Sequence, residues 1–388
     1  MFYNGSMDVM ARLRLLSEQM SLEPAEEQPL STPYLDRTGN CPEAVFVHPA
    51  VLPNGQRIRL LKTLLSSACE RDCYYCPFRA GRDFRRAAFQ PEEFARLFMM
   101  LVQKGIAAGV FLSSGVAGGG IRTQDRLLAT AEILRGKFGF RGYIHLKIMP
   151  GAERAQVERA MQLADRVSVN LEAPNDSRLA RLAPHKQFAA ELLQPLQWID
   201  EIRRCQPEGR RWPSSVTQFV VGGAGETDLE LLTTTASLYR QFHLSRTYYS
   251  PFQPIPDTPL ENQPPTPTLR EHRLYQASFL LRDYGFEVEE LPFEGGGMLP
   301  LHHDPKWLWA QQHLQAQPVE INRAERGELL RVPGIGPKGA EAILRARRQG
   351  KIRSLSALRG LGIAVARAAP FLLLDGRRPE FQMPLPRL

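Results

Sequence analysis

Apolar runs of five to seven residues alternate with longer amphipathic segments from about residue 57 to residue 260. The apolar runs predict strands at Leu60–Leu65, Gly109–Ser113, Tyr143–Met149, Arg166–Leu171, Ser215–Val221 and Arg246–Ser250. The segments between them have helical spacing and predict helices at Pro91–Lys104, Thr123–Phe138, Gly151–Leu163, Phe188–Cys205 and Thr227–Phe242. Strands that alternate with helices are typical of successive βα units, which form a parallel sheet.

The number of βα units bears on the type of sheet. Six units are two fewer than a closed eight-unit barrel contains, so the pattern predicts an α/β fold with a partial (β/α)6 TIM-like barrel. Periodicity alone leaves a doubly wound open sheet as the alternative. In both architectures the functional site lies at the carboxyl ends of the strands, so the residues that follow each strand are the candidates for chemistry.

The predicted domain boundaries follow changes in this pattern. Helical spacing over Met7–Met20 gives way to a polar, proline-containing stretch. Beyond the barrel the pattern predicts a helix at Leu269–Tyr284, a strand at Phe286–Leu291 and a helix within Pro305–Gln317. The predicted divisions are an N-terminal extension (1–50), the barrel with its C-terminal extension (51–300), a connecting helix (301–321), a small all-α domain (322–376) and a flexible tail (377–388).

Composition places the chain among folded proteins. Of its 388 residues, 43% are hydrophobic and 23% are charged, which excludes wholesale disorder and a fibrous repeat. No apolar run approaches the roughly 20 residues that span a bilayer, and the first 20 residues lack the pattern of a secretory signal. We therefore expect a cytoplasmic protein whose cysteines are thiols or metal ligands.

Positive charge is concentrated near the C-terminus. From Val319 to Leu388 there are 14 Lys and Arg against 6 Asp and Glu, so this stretch carries the whole formal net charge of +8. A basic tail domain on a neutral body is typical of a protein that binds a polyanion. A solvated basic surface without a partner is the alternative.

Three of the five cysteines follow the first predicted strand with the spacing C-x3-C-x2-C, namely Cys69, Cys73 and Cys76. Thiolates this close in sequence can converge on one metal centre. Three of them leave one iron of a 4Fe-4S cluster without a protein thiolate, whereas electron carriers use four. The alternatives are reactive thiols, or a zinc site completed by Cys41, Cys205 or a histidine. Two remaining cysteines are too few to bind a second cluster.

This spacing, with Tyr75 just before the last cysteine, resembles the signature of the radical S-adenosylmethionine (SAM) superfamily, and the resemblance covers about Arg57–Pro259. It implies a 4Fe-4S cluster on Cys69, Cys73 and Cys76, with the amine and carboxylate of SAM chelating the open iron. It further implies reductive cleavage of SAM to a 5′-deoxyadenosyl radical, which abstracts a substrate hydrogen. In such enzymes the protein supplies placement and shielding.

The same resemblance implies positions that bind SAM. The family often has Gly-Gly-Glu at the positions of Ser113, Ser114 and Gly115. These small residues still allow the backbone to approach SAM closely, but the glutamate carboxylate that contacts the SAM amine in the family is missing. Asn170 and Glu172 alternate with apolar residues on the fourth strand and are candidates for the ribose hydroxyls, or else face solvent. Tyr75 is a further candidate. Arg178 is the candidate for the SAM carboxylate, with Arg181 and Lys186 as alternatives. Val221 and Gly222 lie in a segment similar to the family's adenine-side motif.

The sequence from Leu329 to Arg345 resembles a helix–hairpin–helix motif. Pro333 and Gly334 end one helix, and Gly336 allows a tight turn into the next. With a weaker copy at Leu355–Leu374, the resemblance implies a five-helix unit that binds backbone phosphate without sequence specificity. The candidate DNA-binding residues are Gly334, Gly336, Lys338, Arg345 and Arg348. A hairpin pair that mediates only protein contacts is the alternative.

From about Cys41 onward, the barrel, the proline-rich exit and the hairpins together resemble a bacterial family of radical SAM proteins assigned to DNA modification or repair. The resemblance implies DNA as a partner, and a uracil-DNA-glycosylase-like protein as a second one. The expected electron donor is a flavodoxin or a ferredoxin. The alternatives are RNA, particularly tRNA, as the substrate, or a DNA-binding redox sensor that catalyses no reaction.

Two further groups of residues invite a functional interpretation. His302, His303 and Asp304 would bind a metal or relay protons, or form a solvated turn. Tyr248 and Tyr249, like Asp257, fall at the predicted barrel mouth, where they would contact substrate unless the tyrosines pack in the core.

Overall fold

The chain divides into two compact units. The computed structural model describes residues 7–20, 47–51, 55–205 and 212–380. Unit 1 comprises Met1–Glu226 and Leu238–Thr266, and unit 2 comprises Thr227–Ser237 and Pro267–Leu388. Residues 267–300 thus cluster with the C-terminal part, whereas the sequence pattern groups them with the barrel. None of the helices in the described ranges has the length and apolar character of a membrane span.

The sheet of unit 1 has seven strands in the described residues, and they follow one another in chain order. The strands are β1 (Val47–Val51), β2 (Arg57–Leu64), β3 (Gly109–Ser113), β4 (Tyr143–Lys147), β5 (Arg166–Ser168), β6 (Ser214–Val221) and β7 (Arg246–Pro251). β1 pairs antiparallel with β2, and each later pair is parallel. A doubly wound sheet reverses its strand order at a switch point. The sequential order excludes that alternative, and the sheet is a curled half barrel.

One helix, α1 (Val9–Met20), precedes the strands. The helices that connect successive parallel strands are α2 (Pro91–Gln103), α3 (Gly120–Glu132), α4 (Arg154–Leu163), α5 (Asp176–Leu182), α6 (Gln194–Arg204) and α7 (Asp228–Phe242). π-Helical turns at Ile133–Lys137 and Phe188–Leu193 adjoin α3 and α6. The start of α2 shows how the sequence sets a boundary, because Pro91 opens the helix and two glutamates lie in its first turn.

The core of unit 1 lies between the sheet and these helices. All five residues of β3 are buried, as expected for a parallel strand that is covered on both faces. In α1, Leu13, Leu16 and Met20 are buried, and Arg12 donates hydrogen bonds to Glu93 of α2. The first helix is therefore packed into unit 1. Residues 21–46, which include Cys41, lie outside the described residues.

Unit 2 is mostly helical. Its elements, besides the start of α7, are α8 (Thr268–Asp283), α9 (Pro305–His313), β8 (Val319–Glu320), α10 (Arg326–Arg331), α11 (Pro337–Gln349), α12 (Leu355–Gly360), α13 (Val365–Ala368) and β9 (Leu372–Leu373). Leu329, Ile343, Leu358 and Ala368 share one buried cluster, so α10 to α13 pack around a common core. The amide of Ala364 donates to the carbonyl of Gly334, which brings the two helix-to-helix turns together.

Several sequence expectations differ from these elements. The strand predicted at Phe286–Leu291 is wrong: its centre is a single 3-10 turn at Val288–Glu290, because Glu287 and Glu290 cap each other's backbone amides and bend the chain. The sequence pattern misses β1, α5 and the short parallel pair of β8 and β9, which interrupts the domain predicted to be all-α. Arg378, in the predicted tail, donates to the carbonyl of Gln315, and residues 381–388 lie outside the described residues.

Candidate active site

The three clustered cysteines follow β2 at the carboxyl end of the sheet. Cys73 is buried, and Cys69 and Cys76 are half-buried. All three line one cavity, which we call the cysteine cavity, together with residues from the ends of β3 and β4, the segment after β5 and the segment after α5. The candidates from the sequence that line it are Tyr75, Ser113, Ser114, Gly115, Asn170 and Glu172. The prediction that chemistry lies after the strands therefore agrees with the geometry.

Arg86 stabilises the cysteine loop, which is the segment between β2 and α2 that contains the three cysteines. Its guanidinium donates to four carbonyls of that loop, those of Ser67, Phe78, Arg79 and Arg82, at 2.8 to 3.2 Å. The same group lies 4.2 Å from the ring centroid of Phe84. An arginine fork that satisfies four backbone acceptors fixes the loop far better than a flexible lysine would. It also places a positive charge near Cys69 and Cys76.

The small residues after β3 permit close contact with the cysteine loop. The amide of Gly115 donates to the carbonyl of Ser66 at 2.7 Å. A Cβ on Gly115 would lie 2.3 Å from the carbonyl oxygen of Ala68, so only glycine fits at this position. Beyond it, the carboxylate of Glu70 accepts from the amides of Gly118 and Gly119 at 2.9 and 3.0 Å. The loop after β3 has no carboxylate of its own at this position. Glu70 of the cysteine loop places its carboxylate against this loop instead.

Glu172 and Lys186 form a buried ion pair on the wall of the cysteine cavity. The ammonium of Lys186 lies 3.2 Å from Oε1 of Glu172, and their side chains are 9% and 6% exposed. The hydroxyl of Tyr75 also donates to this carboxylate. Glu172 therefore connects the cysteine loop to the segment after α5, and it does not face solvent, which was the alternative for it and for the buried Asn170.

Burial and charge shift the proton affinities of this group. Burial raises the pKa of the Cys73 thiol, and the nearby Lys186 ammonium opposes that rise. Burial alone would lower the pKa of Lys186, but the charges of Cys73 and Glu172 outweigh it, so the pKa is raised and the amine stays protonated. Burial, followed by the Glu172 charge, raises the pKa of Tyr75 well above its ordinary value. A permanent cation thus stands beside the thiols.

Three candidates from the sequence lie away from the cysteine cavity. Arg178 and Arg181 both donate to the carbonyl of Ala224 at 3.3 Å, in the glycine-rich loop after β6. In the same loop the carboxylate of Glu226 accepts from the amides of Gly222 and Ala224. Arg178, Val221 and Gly222 are therefore not among the residues that line this cavity. Lys186, which the sequence offers only as an alternative to Arg178, does line it, as do Arg71 and Lys147.

A second cavity adjoins the first along the carboxyl ends of β6 and β7. It shares Tyr75, Cys76 and Glu172 with the cysteine cavity and adds Gln218, Ser250, Gln253 and neighbouring residues. Tyr248 and Tyr249 are 2% and 1% exposed and belong to the core. Asp257 is exposed, in a left-handed turn at φ +59°, and its amide donates to Glu261.

The donor set fits a cluster better than a single metal ion. Within the part of the chain that the structure describes, no three His, Cys, Asp or Glu side chains are placed to hold one metal ion. This statement covers His302, His303 and Asp304 as well as the three cysteines. In a 4Fe-4S cluster each thiolate binds a different iron, so the ligands need not converge on one point as they must around zinc. Three thiols that line one cavity suit such a cluster.

Comparisons with known proteins agree with this geometry. Residues 63–238 match the sequence profile of the Radical SAM superfamily, and this part of the chain is a radical SAM domain. Its cofactors are those of the superfamily, a 4Fe-4S cluster and SAM. No curated protein sequence matches the chain.

Several solved structures resemble the chain at low identity. The FeFe-hydrogenase maturase HydG from Carboxydothermus hydrogenoformans is 15% identical with a TM-score of 0.46, and the match covers 57% of this chain and 51% of that one. Methylornithine synthase, PylB, is 16% identical with a TM-score of 0.45, and the match covers 59% of this chain and 63% of that one. The radical S-adenosylmethionine methyltransferase TsrM from Kitasatospora setae is 13% identical with a TM-score of 0.44, and the match covers 79% of this chain and 65% of that one. The chain thus spans about half to two thirds of the length of these proteins.

The candidate DNA-binding residues all belong to unit 2. Lys338, Arg345 and Arg348 are exposed on α11, whereas Gly334 and Gly336 are half-buried in the turn before it. A Cβ on Gly336 would lie 3.2 Å from the hydroxyl of Tyr284, so the turn is partly covered by the chain that follows α8. No local pattern predicts this contact, because Tyr284 is 52 residues away along the chain.

Proposed function

We propose that the protein is a radical SAM enzyme that acts on a nucleobase or sugar in DNA, in modification or repair. The observation that carries the proposal is the pairing of a three-cysteine radical SAM site in unit 1 with an exposed basic helix in unit 2. The first supplies hydrogen abstraction, and the second supplies affinity for a polyanion. RNA remains the alternative substrate, because a phosphate backbone is common to both nucleic acids.

The residues of unit 1 have distinct roles in this proposal. Cys69, Cys73 and Cys76 would hold the cluster, which together with SAM supplies the 5′-deoxyadenosyl radical when bound. Lys186 is a cation that lines the cavity and could pair with the carboxylate of SAM, and Glu172 is an acceptor for its ribose hydroxyls. Glu172 also fixes Lys186 and Tyr75, so a single buried carboxylate orients both neighbours.

Unit 2 would bring the nucleic acid to the enzyme. Lys338, Arg345 and Arg348 are exposed on one helix that begins with Pro337 after a glycine turn. We infer that this arrangement is a helix–hairpin–helix element, which contacts phosphates through the basic side chains and leaves sequence unread. Since a radical site at the ends of strands is recessed, a base in a duplex would have to leave the stack before reaction.

The remaining partners and the location are also proposals. Reduction of the cluster requires an electron donor, for which flavodoxin or ferredoxin is suited, and a uracil-DNA-glycosylase-like protein is the proposed partner in repair. A cytoplasmic location suits thiols that must stay reduced to bind iron.

The test is anaerobic reconstitution of the full chain with iron and sulfide, followed by dithionite and SAM. We expect a brown protein that forms 5′-deoxyadenosine, and we expect the Cys73→Ser variant to form none. Duplex DNA, single-stranded DNA and tRNA are then added separately. Stimulation by DNA with deuterium transfer from labelled DNA into 5′-deoxyadenosine supports the proposal.

Each other outcome has a defined meaning. Transfer from labelled tRNA alone would assign the enzyme to RNA. Binding of DNA that depends on the state of the cluster, without cleavage of SAM, would identify a redox sensor and overturn the enzymatic proposal. The exposed Cys205→Ser variant is the matched control, since its thiol lies outside the cysteine cavity and should leave iron content and SAM cleavage unchanged.

A further inference from the structure

Unit 2 contains a cavity beneath the first helix-to-helix turn, residues 334–336. Its volume is about 310 Å³, and its walls come from α8, Tyr284, α9 and α13. A water molecule has a share of about 30 Å³ in the liquid, so the space is roughly ten times larger. Small-ligand pockets begin at about 300 Å³. The cavity, which we call the Lys306 cavity, is large enough for a mononucleotide-sized group.

Lys306 is the residue that gives this cavity its character. It is 8% exposed, and its ammonium donates to the carbonyl of Ile335 at 2.6 Å and lies 4.5 Å from the ring centroid of Tyr284. An ammonium group has three hydrogens to donate. In the described part of the chain the Ile335 carbonyl is its hydrogen-bond acceptor, which leaves donor capacity for a ligand.

The charge around Lys306 is not balanced by the protein. Asp304 lines the cavity, but one of its oxygens accepts from the amide of Trp307 and the other pairs with Arg367. Among the residues described, no carboxylate forms an ion pair with Lys306. Burial lowers the pKa of Lys306 to about 7, and the positive charges of Arg367 and Arg331 add to the effect, while Asp304 opposes it. A buried cation in this position favours an anion as its partner.

We propose that the Lys306 cavity binds a phosphate group, held by the ammonium of Lys306 and the guanidinium of Arg367. Phosphate is favoured over a carboxylate ligand because two converging cations and the backbone of a helix-initiating turn suit a group with several charged oxygens. Gln276 and Tyr284 add polar side chains to the wall, and Phe279 and Leu280 provide an apolar floor. Such a lining suits a phosphate attached to a nucleoside, either free or at the end of a nucleic-acid strand.

The site differs from the exposed face of α11. Lys338, Arg345 and Arg348 are exposed on that helix and do not line the cavity. Contacts there follow a continuous backbone, whereas a concave site of this size can receive a terminal group. The inference does not require radical chemistry, and it stands whether or not the enzyme acts on DNA.

The experiment measures equilibrium binding to the full chain by calorimetry. The probes are inorganic phosphate, deoxyadenosine 5′-monophosphate, deoxyadenosine, and one oligonucleotide with and without a 5′-phosphate. We expect the phosphorylated probes to bind, and we expect Lys306→Met to weaken them at least tenfold. Lys351→Met is the matched control, because Lys351 is an exposed lysine of the same unit that pairs with Asp375. Circular dichroism verifies that each variant is folded.

A pH series separates a role in binding from a role in structure. The titratable and charged groups that face Lys306 are Tyr284, Asp304, Arg331 and Arg367. Deprotonation of Lys306 above about pH 7 removes a positive charge, so phosphate affinity of the wild type should fall between pH 6.5 and 8.5. Lys306→Arg stays charged throughout and should lack this fall, with any titration of the probe itself common to both proteins.

The outcomes decide both the proposal and the source of the phosphate. Preference for the free nucleotide identifies a small-molecule site, and preference for the 5′-phosphorylated strand identifies a site for nucleic-acid ends; both support the proposal. Equal binding of deoxyadenosine and its monophosphate, equal affinity of the wild type and Lys306→Met, or no binding of any phosphorylated probe would overturn it. None of these results depends on formation of 5′-deoxyadenosine, so this proposal and the enzymatic one fail separately.

Discussion

Glu172 has a left-handed backbone, with φ at +65°, which is rare for a residue with a side chain. Residues held in this conformation cost about 1 to 3 kcal/mol each and persist where the surroundings fix them. Here a β-bridge to Phe219 fixes the backbone, while Lys186 and Tyr75 fix the carboxylate. The strain, the burial and the shared hydrogen bonds all coincide at the cysteine cavity, as expected for a residue kept for function.

The Glu172–Lys186 pair leads to a prediction about stability. Lys186→Met leaves a buried carboxylate without its cation, which is expected to lower the free energy of unfolding by about 3 to 5 kcal/mol. Denaturant titration of the protein without cluster or SAM measures the change. The double variant Lys186→Met with Glu172→Gln should recover most of the loss, because it removes the unpaired charge. Equal losses in the single and double variants would refute the coupling.

His48 on β1 predicts a dependence of stability on pH. Its side chain is buried, its Nδ1 has no hydrogen-bond partner, and burial, aided by the charge of Lys62, lowers its pKa to about 4. The pKa in the unfolded chain is about 6.5, so the unfolded state binds the proton first as the pH falls. The stability contributed by neutral His48 is complete above pH 6.5 and is lost as the pH falls through 4.

The measurement compares the wild type with His48→Phe between pH 7 and pH 4.5. At about 1.4 kcal/mol per pKa unit, the wild type should lose about 2 to 3 kcal/mol more of its unfolding free energy than the variant. Groups elsewhere titrate in both proteins and cancel in the difference. Parallel pH profiles of the two proteins would show that His48 does not titrate between the folded and unfolded states in this range.

Cluster binding should be most sensitive to changes in the loop after β3. Gly115→Ala would place a methyl group 2.3 Å from the Ala68 carbonyl oxygen, and that backbone belongs to the cysteine loop. We expect the loop to shift, and iron content after reconstitution to fall at least severalfold while circular dichroism stays unchanged. Gly136→Ala is the matched control, since a Cβ there meets nothing within 4 Å.

Iron analysis and the visible absorption of the reconstituted proteins check this prediction. Full iron content in Gly115→Ala would mean that the cysteine loop adapts without loss, and that close approach is not what requires glycine. Equal losses in both glycine variants would point to a general effect on folding. Only a selective loss supports the geometric argument.

The elements show why the sequence predicts some parts of the fold and not others. Strands of the parallel sheet are apolar on both faces and are separated by amphipathic helices, so periodicity identifies β2 to β7, although β5 ends at Ser168, three residues before the predicted end. The pattern misses β1 because His48 and Pro49 interrupt its apolar run, and it misses α5, β8 and β9 because they contain too few residues to show a period. The cysteine spacing predicted the site, but Arg86 and Glu70 act through backbone contacts that no spacing encodes.

At the scale of the whole molecule, the distribution of charge leads to a test of the proposed binding of nucleic acid. The last 70 residues carry the entire formal net charge of +8, and Lys338 and Arg345 are seven positions apart, which places them on one face of α11. Each phosphate neutralised by a basic side chain releases a counterion, and the logarithm of the affinity falls with the logarithm of salt by about 0.9 per contact on duplex DNA.

The corresponding experiment measures the affinity for duplex DNA over a salt series. Replacing Lys338, Arg345 and Arg348 together by alanine should reduce the slope by about 2 to 3, because three phosphate contacts are lost. Cys73→Ser should keep the slope of the wild type, since this substitution removes no basic side chain. A triple variant that binds DNA with an unchanged slope would move the nucleic-acid contact to another surface. If the affinity of the wild type for duplex DNA does not depend on salt, phosphate contacts do not contribute to binding.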